Sequence, residues 1–343
     1  VSIGVRPTRR IVASLAVLIG AFLLTVSVLI PTYAVDRLVK IPLTVEADTV
    51  STGTATLLDS TELVKGRLVL EDDVPVTVNQ RVTVEEPADE SVVTLQSAVR
   101  MTRDDRSGTA AIISASVDRS TLDRTTALPV DEPVGSIQTE TGKVPEPVVH
   151  DGLQFKFPFD TQKQSYPYFD TTFKQSRDVH FVEETELDGL PVYRFRQEVE
   201  PTQVGGGISL LASVWGREGN GSLKLPRFYS ITRDLWVEPV SGAVVQVEQH
   251  HRQFFAAKAD DPKAVTLIDI TPRLDEQTQT EQIVFARKSK NLVLWGTVYA
   301  PIGAAVAGAA LLASGIYLGV RTPRRDESVR PTDIRAMVNG ASV

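Results

Sequence analysis

The chain has 343 residues, 43 acidic against 36 basic, a net charge of −7 and no cysteine. The missing thiols exclude a disulfide framework, thiolate metal ligation and a cysteine nucleophile. The acidic balance argues against nucleic acid, whose phosphates call for basic contacts.

Residues 1–10 carry Arg6, Arg9 and Arg10 and read as a cytoplasmic tail. Residues 11–33 read as a first transmembrane helix, because residues 11–30 are uncharged and about 20 apolar residues cross a bilayer core. A cleaved leader fits less well. The run exceeds an apolar stretch of about 7–15 residues, and Thr32 and Ala34 frame a poor cleavage site. Ala16 and Gly20 stand four apart in this run, and Gly315 and Gly319 stand likewise in a second one. Small residues at that spacing admit close helix pairing.

Residues 34–286 read as one large β-rich domain. Alternation at Val74, Val76 and Val78, at Val82 and Val84, and through residues 111–117 predicts antiparallel strands with one buried face. The turn between two of them falls at residues 104–108. Residues 127–149 lack a period, are rich in Pro and polar residues, and predict a long surface loop. Leu153, Phe155, Phe157 and Phe159 alternate cleanly, and Pro158, which has no ladder donor, makes this an edge strand or strand end. Tyr193 and Phe195 share one face of a further strand. Residues 230–238 and 243–248 flank Pro239, Val240, Ser241 and Gly242 as a hairpin. Thr271 before Pro272 predicts a helix start, with a polar helix running to residue 290.

Residues 291–320 read as a second transmembrane helix, and residues 321–343 as a second tail. The tails together carry about +5 and the rest −12. Positive flanks stay in the cytoplasm. Both termini are therefore expected inside and the β domain outside, in a periplasmic or extracellular position at the plasma membrane.

No cofactor is expected. His250 and His251 are neighbours, so on a strand they point to opposite faces and do not share a metal. Gly205, Gly206 and Gly207 lack the Lys-Ser/Thr that completes a phosphate loop. Neither a nucleophile elbow nor a His-Glu-x-x-His pattern is present, so no catalytic residue is assigned. Phe155, Phe157, Phe159, Tyr193, Phe195 and Trp236 have two readings. One is ordinary core. The other is the wall of an apolar ligand cavity inside a barrel-like sheet.

The chain resembles an actinobacterial envelope family known as porin PorA-like. The resemblance rests on Asp118-Arg119-Ser120-Thr121, on residues 151–159, and on Tyr166-Pro167-Tyr168-Phe169-Asp170. It extends to residues 189–195 and 235–242 and to the two terminal apolar runs. It implies a mainly β (α+β) exterior domain: an antiparallel barrel-like sheet around an apolar cavity, tethered by two terminal helices. It also implies a role in maturing lipoglycans of the lipomannan and lipoarabinomannan type. The expected function is that of a membrane-anchored, non-enzymatic periplasmic carrier with a lipid or glycolipid ligand. The alternatives are a non-catalytic scaffold partnering membrane glycosyltransferases, and a glycan-acting enzyme or porin-like protein.

Overall fold

A computed structural model describes residues 6–34, 39–140 and 142–321. The tail residues 1–5 and 322–343 lie outside the described residues. The chain divides into two compact units: the terminal segments up to Tyr33 and from Gly296 onward, and the stretch Ala34–Trp295.

The terminal unit is a pair of helices, α1 (Arg6–Leu29) and α4 (Ala300–Val320). Each belongs to a helical stretch long and apolar enough to cross a membrane, Arg9–Tyr33 and Glu276–Val320. Glycine sets how closely they pack. A Cβ on Gly20 would stand 2.8 Å from the Gly308 carbonyl oxygen, and one on Gly315 would stand 2.8 Å from that of Ala13. Of the expected Ala16/Gly20 and Gly315/Gly319 motifs, Gly20 and Gly315 do lie in the contact between the two helices. Gly319 has open space beside it, and the contact positions in α4 are Pro301, Gly308 and Gly315. A spacing of seven keeps one seam facing a partner helix that crosses at a shallow angle, whereas a four-residue spacing drifts off it.

The other unit is one antiparallel sheet of 13 strands, ordered β6-β5-β4-β3-β2-β1-β12-β11-β10-β9-β8-β7, with β13 (Arg273–Leu274) pairing β1 and β11. One half is β1 (Glu46–Leu58), β2 (Leu70–Ala88), β3 (Val92–Arg103), β4 (Ile112–Asp123), β5 (Ser136–Gln138) and β6 (Glu146–Pro147). The other half is β7 (Tyr166–Asp170), β8 (Gln175–Leu187), β9 (Leu190–Leu211), β10 (Ser222–Glu238), β11 (Ala243–Phe255) and β12 (Val265–Ile270). A short helix, α2 (Ser60–Val64), follows β1 and is capped by the Asp59 carboxylate. The sheet curls but does not close. Its edges β6 and β7 meet through side chains: Lys174 pairs with Glu146, and Phe169 packs on Ile137 and Val148.

The loop expected at 127–149 contains β5 and β6, which carry the sheet edge. The hairpin expected around residues 239–242 forms as β10 and β11. The buried Glu238 carboxylate accepts from the Val240 and Ser241 amides and the Ser241 hydroxyl, and Gly242 takes φ 71°. The cap of helix α3 (Glu276–Leu294) lies four residues later than the expected Thr271, because the Asp275 carboxylate accepts from Thr278 N–H at 2.7 Å. It lays Ile283 and Ala286 against Leu190, Val192, Ala243 and Val245.

The outer face of β1–β4 is uncovered and charged. Val82, Val84 and Leu95 reach the core, so the residues between them in each strand point outward. There Arg81 pairs with Glu46 and Asp48, and Arg119 bonds Gln96 at 2.9 Å.

Candidate functional site

The curled sheet encloses two kinds of interior. At one end is an aromatic plug. Residues 153–160 were expected to form a strand but make no continuous ladder. Leu153 exchanges backbone bonds with β7, whereas Phe157 N–H donates to Gly242 and Thr161 N–H to Pro239, at the β10–β11 turn. The alternation arises because this segment threads between walls of the barrel. Pro158 supplies no donor, and Asp160 takes φ 55°, so a regular strand could not continue.

Of the six aromatic residues singled out in the sequence, Phe157 and Phe195 are wholly buried, with ring centroids 4.8 Å apart. Tyr166 meets both edge-on, at 5.4 Å and 5.8 Å. Phe155 and Tyr193 pack against the same cluster, which joins Val93 and Leu95 of β3 to Leu235 and Val237 of β10. These rings fill the barrel end rather than ring an open space. Phe159 carries the Lys156 Nζ 3.7 Å from its centroid. Trp236 belongs elsewhere. It sits between the inward Leu235 and Val237, so it points to the other face, where it packs beside α3 and under Arg194. A cleft of about 500 Å³ touches Tyr193 on its outer side. It is lined by Asp160, Gln162, Lys163, Gln164 and Val240 among others, and its lining is largely polar.

Next to the plug lies a polar network that the sequence reading missed. Arg233 Nη2 donates to Asp170 Oδ2 at 3.0 Å, Nη1 to Gln197 at 3.1 Å and Nε to Gln249 at 3.1 Å. Tyr229 donates its hydroxyl to the same Asp170 oxygen at 3.2 Å. The other Asp170 oxygen accepts the amides of Thr172 and Phe173. The guanidinium lies 5.1 Å from the Tyr168 ring, whose hydroxyl donates to the Gln154 carbonyl. The Gln154 amide donates to Asp118, which also holds His150 Nε2 at 2.9 Å. A continuous polar chain thus crosses the interior from β10 to β4.

Burial works against the Arg233 charge, but Asp170, Tyr168 and Tyr229 together raise its pKa. Burial raises Tyr229 well above the ordinary phenol value and lowers His251 to about 4, so that imidazole is neutral at physiological pH. The signal for this network was available in β10. Tyr229, Ile231, Arg233, Leu235 and Val237 alternate on one face, and an arginine on an inward face needs a buried partner. Asp170, 63 positions away, could not be named as that partner from spacing. The two adjacent histidines do diverge. His250 bonds Asp269 at 2.7 Å and is exposed, whereas His251 faces Tyr229. Among the described residues no group of three metal-binding side chains converges.

The fold and these interiors define a class: membrane proteins with terminal apolar helices and a large β domain between them. Within that class the chain belongs to the porin PorA family, whose model matches residues 12–317. It is similar to a porin PorA of Corynebacterium amycolatum, 30% identical over 361 aligned positions, covering 84% of this chain and 94% of that protein. It is also similar to a porin PorA of Corynebacterium resistens, 28% identical over 330 positions, covering 74% and 79%.

Proposed function

We propose that the chain is a non-enzymatic envelope membrane protein serving permeability, as the name of its relatives states of them, and that α-helices do the crossing while the β domain works in water. The charged outer face of β1–β4 carries this reading. Arg81, Arg119, Glu46 and Asp48 occupy the outward positions. A lipid-facing barrel would place such residues against hydrocarbon, at about 2–4 kcal/mol for each basic residue near the midplane. A spanning barrel is also closed, and here β6 and β7 do not pair.

The α1–α4 pair is closely packed, with Gly20, Gly308 and Gly315 at backbone contacts. Its hydroxyls at Thr25, Ser27 and Thr32 bond carbonyls of their own helix. Permeation therefore requires several copies assembled side by side. The positive terminal segments put both ends in the cytoplasm and the β domain outside. The carrier reading has less support, because four of the six residues proposed as its cavity wall, Phe155, Phe157, Tyr193 and Phe195, belong to one packed cluster. The scaffold reading would use the uncovered outer face of β1–β4 for partner enzymes.

Conductance of the full chain in planar bilayers tests the proposal. Gly315→Leu, which drives a side chain into Ala13 and Val17, should abolish conductance. Arg81→Leu should leave it intact. The reverse pattern refutes helical crossing, and absence of conductance in the parent refutes the permeability role. Because the chain has no cysteine, single cysteines at Thr83 and Arg119 should react with an impermeant maleimide from the outside in intact cells.

A further inference from the structure

Several half-buried arginines of this domain have carboxylate partners. Arg233 has Asp170, Arg103 has Glu71 and Asp105, Arg217 has Asp261, and Arg194 has Glu183 and Asp234. Arg227, like Arg124 and Arg177, has neutral acceptors instead, and what sets it apart is the backbone opposite it. Arg227 is half-buried on β10, two positions from Tyr229, and no carboxylate among the described residues pairs with it. The chain has 43 acidic residues to choose from. Arg227 Nε donates to the Gly205 carbonyl at 3.0 Å and Nη1 to the Gln253 side-chain oxygen at 3.3 Å, both neutral acceptors. Its remaining N–H groups are unused. They are absent from the sealed, unpartnered polar atoms of the interior, so they reach solvent. Burial alone acts on this guanidinium and lowers its pKa.

The backbone opposite explains how the site stays open. The β9–β10 register jumps from Leu225 opposite Ile208 to Arg227 opposite Val204, leaving Gly205, Gly206 and Gly207 as a bulge across from Pro226. Gly206 takes φ 86°, and a Cβ there would sit in ordinary contact, 3.6 Å from the guanidinium carbon; beside Gly205 nothing lies within 4 Å. Three residues without side chains therefore bring the main chain against the guanidinium without covering it. A guanidinium fork suits an oxyanion in two-point contact, and a desolvated cation gains most from such a partner.

We propose that Arg227 and the Gly205–Gly207 bulge form a receptor for an oxyanion, a phosphate or carboxylate group entering from outside the protein. The site rests on β-domain geometry alone and does not depend on the permeability reading. The test titrates the full chain in non-ionic detergent with inorganic phosphate and, separately, with dodecyl phosphate, read by calorimetry. Saturable binding is expected, weakened at least tenfold in Arg227→Gln and less in Arg227→Lys, which keeps the charge and loses the fork. Arg119→Gln, an exposed arginine on the outer face, should bind like the parent. Binding of both probes identifies a free oxyanion as the ligand, and binding of dodecyl phosphate alone identifies an amphiphile headgroup. Binding of neither, or equal binding by Arg227→Gln and the parent while both melt normally, overturns the proposal.

Discussion

Phe157→Ala separates a filled barrel end from a ligand cavity. The ring is wholly buried and lies 4.8 Å from Phe195, 5.4 Å from Tyr166 and 6.2 Å from Tyr168. Truncating a buried phenylalanine costs about 3–5 kcal/mol through lost transfer energy and the void left behind. Three ring neighbours place this site at the upper part of that range, since an aromatic pair adds about 0.5–1.5 kcal/mol beyond area. The void should not collapse easily. The plug backbone is pinned on both sides of the ring, at Leu153 to β7 and at Thr161 to Pro239. For a domain of this size each kcal/mol shifts the midpoint by about 2–4 °C, so a fall of roughly 8–20 °C is expected. Trp215 and Trp236 report on the β domain, and thermal and urea melts of the full chain in detergent, followed by their fluorescence, give the measurement. A loss below about 1 kcal/mol would mean that space already surrounds the ring. The packed-core reasoning would then fail and the lipid-carrier reading would gain.

Lys156 should make stability depend on alkaline pH. Its Nζ is sealed without a hydrogen-bond partner, and burial lowers its pKa to about 7 from 10.5. Between those values the unfolded chain holds a proton that the folded chain lacks, so stability should rise from pH 7 to pH 10, by up to about 4 kcal/mol at about 1.4 kcal/mol per unit. Lys156→Met should be more stable than the parent at pH 7 and nearly flat across that window; parallel curves for the two proteins would refute the assignment. For the Asp170–Arg233 pair, Asp170→Asn should cost about 3–5 kcal/mol by stranding a buried guanidinium. The double variant Asp170→Asn with Arg233→Met should recover part of that loss in urea melts, and strict additivity of the two changes would show that they do not interact.

The sequence by itself determined the features that depend on local periodicity. Two uncharged runs gave two helices long enough to cross a membrane, because length and apolarity are properties of a contiguous segment. Period-two alternation gave the strands around Val74–Val84 and 111–117. Pro239 to Gly242 gave the β10–β11 hairpin, because turn chemistry is written in adjacent residues. Tertiary structure decided the rest. Residues 153–159 alternate like a strand, but both sides are enclosed: Phe157 lies in the aromatic cluster, while Gln154 bonds Asp118 and the Lys156 Nζ is sealed. Trp236 looked like a companion of Phe195, yet strand pleating sends it to the opposite face beside α3. The helix seam runs through Gly308 and Gly315 rather than Gly315 and Gly319, because the partner helix, absent from any local window, selects which small residues are touched. Asp170 and Arg233 meet across 63 positions, and Arg227 meets no carboxylate at all among the described residues. Such pairings are fixed by the curl of the sheet and the register of β9, β10 and β11, which bring together residues whose spacing in the chain carries no trace of the contact.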